Sequence, residues 1–377
     1  MEDRDQTLDM LRESIRRFVE REVVPNASAW EAEGAVPREV LREMGSLGFL
    51  GLRHASGYGG GELDARATAL LAEELGRSTF GGFAITVLVH TDMASPHLAN
   101  AGSPAQLARW MPKIVSGECI TAVAVTEPDA GSDVKSIRTS ARRDGGDWVL
   151  NGAKMFITNG ALADLYFVAA KTDPAGGSKG LSMFAVERGT PGLTVAKRLD
   201  KLGWRSSDTA ELAFQDCRVP AENLLGEEHR GFYAIMRNFQ NERIAIAAMA
   251  MGESARALEL TLDYVRTRKA FGAPLWDKQA IRQKLAMLAA KVEAGRQLVR
   301  HAAALDAAGR DCVKEVSMAK AWCGELVNEV MYACLQCHGG SGYMHETVIE
   351  RMYRDARVQS IGGGATEVML EEVAKRL

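Results

Sequence analysis

Glu118-Cys119-Ile120-Thr121-Ala122-Val123-Ala124-Val125-Thr126-Glu127-Pro128-Asp129-Ala130-Gly131-Ser132-Asp133 is where the character of the chain changes. Ile120–Thr126 is short, apolar and rich in β-branched residues, and it runs straight into turn-forming residues, which reads as a strand and its exit. Upstream, residues 1–117 read as helical. Leu8, Leu11, Ile15 and Phe18 step by three or four with charges between them, one apolar face of a helix. Pro25 ends that segment, and Leu41, Met44, Leu47 and Leu50 repeat the spacing. Gly57-Tyr58-Gly59-Gly60-Gly61 then forces a loop, and Leu70, Leu71, Leu75 and Phe83–Val89 supply further helices. Downstream, strand candidates crowd together: Ile137–Arg142, Trp148–Asn151, Met155–Thr158, Leu165–Lys171, Leu181–Glu187 and Leu212–Phe214. Turn pairs such as Gly145-Gly146, Asn159-Gly160, Gly176-Gly177 and Pro191-Gly192 separate them, the pattern of a small β-barrel or sandwich. After Gly226 the chain is helical again over Phe232–Arg268, Lys278–Ala308 and Val313–Gln336. The expected fold is α+β: an N-terminal helical domain (1–117), a β-domain (118–226) and a helical bundle (227–377).

At 377 residues the chain is long enough for two or three domains. Hydrophobic residues at 46 % and charged residues at 25 % are the proportions of a soluble globular protein. A net charge of −3 gives no global pull towards nucleic acid or an anionic membrane. Apolar runs such as Ile244–Met251 fall far short of the roughly 18 residues that span a bilayer. Glu2, Asp3, Asp5, Asp9 and Glu13 make the start too acidic for a mitochondrial transit peptide, and it lacks a secretory apolar stretch. Six cysteines in a chain this long suit free thiols in a reducing compartment, so the expected location is cytoplasmic. Glycine is in surplus, 37 against 10 prolines, beyond what loop punctuation needs.

Cys334-Leu335-Gln336-Cys337-His338 matches the pattern of c-type haem attachment, but it lies on a helical run where cysteine is a good small core residue. Cys312 and Cys323 stand eleven apart and offer no zinc spacing. Gly57–Gly61 breaks the dinucleotide fingerprint at its last position and lacks the strand–helix context. Glu242 stands out. Phe232, Ile235, Phe239, Glu242, Ile246 and Met249 step by three or four, which places a carboxylate on an apolar stripe. On pattern alone it is either paired with a buried Arg, or turned out at a helix end, or desolvated and raised in pKa towards the range of a general base. Gly362-Gly363-Gly364 reads either as a plain loop or as backbone brought close to something bulky.

Taken together, the chain resembles the acyl-CoA dehydrogenase family of flavoproteins over essentially its whole length. The resemblance rests on Val125–Asp133, on Asn151-Gly152-Ala153-Lys154-Met155-Phe156-Ile157-Thr158-Asn159-Gly160, and on Arg268-Lys269-Ala270-Phe271-Gly272 with Gln279 downstream. Gln336-Cys337-His338-Gly339-Gly340 and Arg354-Asp355-Ala356-Arg357 complete it. The resemblance implies a C-terminal four-helix bundle and FAD held without a dinucleotide fold. Val125, Thr126, Gly131 and Ser132, with Phe156, Ile157 and Thr158, are the implied flavin contacts. Arg268, Phe271, Gln279, Gln336, Cys337, Gly339 and Gly340 are the implied reach onto the FAD of a neighbouring subunit. Arg suits a pyrophosphate because its guanidinium is a rigid fork of donors. Ala365, where a hydroxyl residue is common, and Glu367 belong to the same implied cofactor set. The assembly implied is a dimer of dimers, a homotetramer.

The family carries its catalytic glutamate at one of two places. At the first this chain has Gly363, which cannot take a proton. The second falls on Glu242, immediately before Arg243, as in the long-chain and isovaleryl-type branches. Stripe and resemblance therefore select the same residue. The implied reaction removes an α-proton from an acyl thioester and a β-hydride to flavin N5, leaving a trans-2-enoyl product. The Gly363 N–H is the implied enolate donor, and Ser132, Gln240 and Arg243 are candidate contacts to the thioester or pantetheine. Implied partners are an acyl-CoA substrate and an electron-transferring flavoprotein as acceptor. A carrier-protein-tethered acyl substrate is the near alternative, and a non-catalytic flavin-binding or helical scaffold protein the distant one. Around Phe83–Pro96, His90, Thr91 and Asp92 either face the acyl tail or are surface or loop residues. Asp129 adds a charge beside the implied cofactor loop.

Overall fold

The computed structural model of the chain describes residues 2–377, with side chains from residue 6 onward, so the acidic side chains of Glu2, Asp3 and Asp5 lie outside the described residues. The chain opens with α1 (Glu2–Phe18), α2 (Ala27–Glu33), α3 (Arg38–Ser46) and α4 (Ala65–Gly76). α5 (Gly81–Leu88) then passes through a wide π turn, Val89–Ala94, into α6 (Ser95–Ala101), and α7 (Pro104–Val115) follows. Ile15 and Phe18 are buried, with Leu8 and Leu11 against the same core, as their spacing predicts. The repeat from Leu41 does not hold to its end. Leu41 and Met44 are buried, but Gly48 turns the chain at φ +79°, so α3 stops, Leu47 is exposed and Leu50 enters the core from a separate 3₁₀ turn.

The middle segment is one sheet of eight strands: β1 (Thr121–Ala124), β2 (Ser140–Asp144), β3 (Asp147–Thr158), β4 (Leu165–Lys171), β5 (Leu181–Glu187), β6 (Leu193–Arg198), β7 (Thr209–Pro220) and β8 (Leu224–Leu225). They run in the order β6-β7-β3-β2-β4-β5-β8, with β1 parallel to β4. The two halves join through the single pair Ser140–Lys171 and face one another. Trp148 of one half meets Phe184 of the other edge-on at 5.3 Å. On β4, Tyr166, Val168 and Ala170 enter that inner core, while Leu165, Phe167 and Ala169 enter a second core shared with α6, α7 and the first turns of the next helix. A strand covered on both faces reads as a continuous apolar run, as this one does.

Several sequence boundaries are corrected. The two predicted strands at 148–151 and 155–158 are one strand, β3, because register shifts at Leu150/Gly152 and Lys154/Ile157 absorb the irregularity between them. Leu212–Phe214 is the middle of the much longer β7. The strand predicted from Ile137 begins only at Ser140, because the Arg138 and Thr139 N–H groups donate to the Glu127 carboxylate (2.6 and 2.9 Å) instead of to a ladder. β6 escaped the sequence reading because it is an edge strand, mostly exposed, with no apolar alternation.

α8 (Gly231–Thr267), α9 (Gln279–Ala307) and α10 (Val313–His338) form the bundle, with α12 (Thr366–Ala374) along α10 and α11 (Val348–Ala356) before it. From Asn241 to Ala250, α8 is buried on every side, with α4 packed on it as well as α9 and α10. The apolar stripe was thus a narrow view of a helix that is interior all round. Each of Ile244, Ile246 and Met249 buried there contributes about 1.5–3 kcal/mol. Asp355 of α11 is buried and accepts the N–H of Trp204 at 2.7 Å and of Gly81 at 3.1 Å, so one carboxylate touches all three segments of the chain. Among the described residues, no helix is long and apolar enough to cross a membrane.

Candidate active site

Glu242 sits on the interior stretch of α8 and is 8 % exposed. Burial pushes its carboxyl up to about 7; a hydrogen bond from Asn238 and the charge of Arg243 oppose the shift without cancelling it. The only hydrogen bond to the carboxylate among the described residues is from Asn238 Nδ2 to Oε1, at 3.0 Å. Of the alternatives left by the sequence, the ion-paired and outward-turned ones fail: no ion pair to Glu242 is present among the described residues, and the side chain is interior. A lone desolvated carboxyl close to neutral in pKa is equipped to take a proton.

Beside it lies the glycine run. Gly363 has φ +64°, and a Cβ there would run into Cδ1 of Ile246, one turn along α8 from Glu242. Gly364 has φ +104°, and its carbonyl accepts from Lys320 Nζ, a side chain with no exposure at all. Gly362 has neither constraint. The close-approach reading therefore holds for two of the three glycines. Arg243 is buried with its cation over the Phe239 ring at 5.4 Å, and its Nε has no hydrogen-bond partner among the described residues. Burial lowers its pKa, and it has no ion-pair partner among the described residues. A buried guanidinium with an unfilled donor, next to the carboxyl, suits a polar ligand group. Half-buried Gln240 accepts from Cys312 Sγ at 3.4 Å. Ala365 precedes α12 at this same end, and exposed Glu367 lies in its first turn.

The loop from Val125 to Ser132 is fixed from beneath. Lys154, with no exposure, donates to Glu127 Oε1 at 2.8 Å and to the Val125 carbonyl at 2.9 Å. The Met155 N–H reaches the Thr126 carbonyl at 2.9 Å and ties the loop to β3. The next residue, Phe156, has φ +60° and is 63 % exposed. A left-handed backbone at an aromatic residue costs on the order of 1–3 kcal/mol, and the strain puts an apolar ring into the open beside Thr126. Ile157 is buried and Thr158 half-buried behind it, Ser132 is exposed, and no atom stands within 4 Å of where a Cβ of Gly131 would be. These features fit a planar aromatic ligand laid on Phe156 and Thr126. Asp129 is exposed beside an equally exposed Arg138 at 3.5 Å, so its charge has company.

The remaining predicted cofactor residues gather elsewhere. Arg268 caps α8, Phe271 is 97 % exposed on the hairpin β9 (Lys269–Ala270)/β10 (Ala273–Pro274), and Gln279 starts α9. Gln336 and Cys337 lie in the last turn of α10, and Gly339 and Gly340 open the 3₁₀ turn that follows it; Tyr264 of α8 stacks on His338 at 4.3 Å. From Glu242 to Arg268 is roughly 39 Å of helix at 1.5 Å per residue. The predicted residues thus fall into two groups, one towards the N-terminal part of α8 and one at its C-terminal end. Cys334 is buried in the core and His338 lies in its stack on Tyr264, so these two residues of the haem-like motif serve as packing residues.

Three elements of the site went unread in the sequence: Asn238, one turn before Glu242; Lys320, a lysine among the apolar Val316, Ala319, Cys323 and Val327; and the Lys154–Glu127 pair. The spacing of Asn238 was the available signal. His90 and Asp92 are neither surface nor loop. His90 is wedged between Thr121 and the Ile114 carbonyl (both 3.0 Å), and Asp92 accepts from Thr68 at 2.7 Å and Thr91 at 2.6 Å.

Comparison with known proteins matches the acyl-CoA dehydrogenase N-terminal domain to residues 5–118, its middle domain to 122–217 and its C-terminal domain to 229–377. The mitochondrial long-chain specific acyl-CoA dehydrogenase of Sus scrofa is 43 % identical, over 98 % of this chain and 86 % of that protein. An acyl-CoA dehydrogenase of Bacillus subtilis (strain 168) is 39 % identical, over 98 % and 97 %. The crystal structure of acyl-CoA dehydrogenase from Geobacillus kaustophilus superposes with a TM-score of 0.95 at 41 % identity, over 98 % of this chain and 97 % of that one.

Proposed function

The chain belongs to the acyl-CoA dehydrogenase family, and from that premise we infer that it is an FAD-dependent oxidoreductase of acyl-CoA thioesters with Glu242 as its base. The observation that carries the assignment is the buried Glu242 carboxyl, near 7 in pKa, set one turn along α8 from Ile246, against which the left-handed backbone of Gly363 is packed. The α-proton of a thioester is weakly acidic, so the base needs help from donors aimed at the enolate oxygen. The Gly363 N–H is the candidate donor, and Lys320 holds the backbone just beyond it through the Gly364 carbonyl. With Oε1 held by Asn238, Oε2 of Glu242 is left to take the proton. Ser132, Gln240 and Arg243 are the proposed contacts to the thioester and pantetheine. FAD, when bound, supplies the acceptor for the β-hydride.

Val125, Thr126, Gly131, Ser132, Phe156, Ile157 and Thr158 would hold the flavin from this chain, with Ala365 and Glu367 at the bundle side. Arg268, Phe271, Gln279, Gln336, Cys337, Gly339 and Gly340 would serve the FAD of a second copy. Supporting that division, Arg268 stands roughly 39 Å of helix away from Glu242, and Phe271 is almost fully exposed. We propose a homotetramer built from such dimers, an electron-transferring flavoprotein as acceptor, domain boundaries at 117/118 and 226/227, and a cytoplasmic location in keeping with six free cysteines.

The test is purification, a flavin spectrum, light scattering, and anaerobic titration with a panel of acyl-CoA thioesters. Bleaching of an FAD spectrum by at least one acyl-CoA, in a particle of two or more copies, is expected. A flavoprotein that no acyl-CoA bleaches overturns the reading.

Gly363→Ala supplies a narrower check. Its Cβ makes Ile246 swing aside and puts a left-handed backbone under a non-glycine residue, at a cost of roughly 1–2 kcal/mol. A slower bleaching rate, by about tenfold, is expected with flavin content unchanged, since the displaced group faces the substrate rather than the cofactor loop. An unchanged rate removes Gly363 from the proposed donor role.

A further inference from the structure

Asn238 is buried on α8, one turn before Glu242, and nothing in the family reading gives it a task. Its Nδ2 donates to the Met93 carbonyl at 2.8 Å and to Glu242 Oε1 at 3.0 Å, with the Asp92 carbonyl at the edge of reach, 3.5 Å. We propose that Asn238 is a positioning residue for the base: its amide fastens the Glu242 carboxylate to the main chain of the Val89–Ala94 turn, so that Oε1 stays bonded while Oε2 is free to take the proton.

The chemistry of an amide makes this one-directional. A backbone carbonyl can only accept, so Met93 requires the NH₂ end of Asn238, and that same nitrogen carries the proton offered to Glu242. Were the side chain to flip and accept from a protonated carboxyl, it would lose the bond to Met93 and leave a buried carbonyl facing oxygen. Asn238 therefore keeps donating to Oε1 when Oε2 is protonated, but the bond is stronger to the carboxylate than to the acid, so the amide favours the charged form against burial. The turn itself does not depend on it. Asn241 Nδ2 independently bonds the Asp92 carbonyl at 2.7 Å, and its Oδ1 accepts from Arg53. π turns are rare and often sit at functional sites, and this one is clamped to the base helix by two asparagines.

Charged and titratable groups around Glu242 remain in place when Asn238 is changed. They are Arg243 on the same helix, and Asp92 on the turn, with the buried neutral His90 and His54 near it. Beyond these lie Arg53 and Asp306 on one side, and Lys320, Glu372 and Arg376 about Arg243 and the glycine run on the other. Loss of the amide donor thus leaves burial less opposed, and the base is protonated at higher pH.

The inference rests on Glu242 being the base, and the test separates the two. Anaerobic bleaching rates are measured across pH for the wild type, Asn238→Leu and Asn238→Asp, alongside Glu242→Gln. The expected result is an acid limb displaced upward by about one pH unit in Asn238→Leu, and further in Asn238→Asp, which puts a like charge beside the base. At pH 6.5 the Leu variant is then about tenfold slower than wild type, and the rates converge above the displaced limb. An unmoved limb in whichever variant keeps its flavin overturns the proposal, and so does loss of flavin in both, since a group that only positions the base does not hold the cofactor. Full bleaching of Glu242→Gln instead overturns the base assignment beneath it.

Discussion

Glu242→Gln binds FAD and stays yellow when acyl-CoA is added anaerobically. Removal of a general base from a reaction that must break a C–H bond of low acidity is expected to cost at least about 10³-fold in the bleaching rate. Flavin binding survives, because glutamine keeps the shape and can still accept from Asn238, and because the loop below the proposed flavin site is held by other groups. The same variant should be more stable than the wild type in alkaline solution. Glu242 is raised from 4.5 to about 7 by folding, so the wild type's carboxyl contributes its full stability only below the unfolded value and loses it as pH rises to 7. Above that point glutamine avoids a buried charge, a gain of roughly 3 kcal/mol. Chemical unfolding at pH 8 and pH 5 reads it: a stabilisation at pH 8 that vanishes towards pH 5 is expected, and equal effects at both would remove the desolvated carboxylate from the argument.

The second large effect is expected at Lys154→Met. Lys154 is fully buried against Glu127, and the pair holds up the loop from Val125 to Ser132. Taking away the cation leaves a buried carboxylate with two backbone donors and no counter-charge, a loss of about 3–5 kcal/mol. The protein should come off the column with little flavin and unfold at lower temperature. Adding Glu127→Gln to the same chain removes the stranded charge and should return part of that stability, which makes the two changes strongly non-additive. A single variant with full flavin and an unchanged unfolding temperature would show that the pair is dispensable.

The helix–sheet–helix order was legible because each segment carries its own period, and the long helices needed only their Gly and Pro breaks to be bounded. Glu242 was legible because a carboxylate on an apolar stripe is costly and therefore conspicuous. Strand ends in the β-domain were less so. The Ile137 boundary depends on Glu127, eleven or twelve residues away, capturing two N–H groups that would otherwise have paired in the sheet. Lys320 and Asn238 stayed hidden for a different reason. A lysine and an asparagine are ordinary on a helix surface, and only the packing of a third element turns those surfaces inward. His90 and Asp92 were invisible as interior residues, since a polar triplet reads as surface until its partners Thr121, Thr68 and Asn241 arrive from distant parts of the chain.

Asp355 has a consequence for how such a chain can be taken apart. A single carboxylate that accepts from Gly81 and Trp204 while standing on α11 ties the three segments together at one buried point. Any one segment exchanged for a counterpart from a related protein would have to bring the same two N–H groups, or the same carboxylate, to the same point, or leave it orphaned in the interior. The segments are separable in sequence and in architecture, but they are not interchangeable parts.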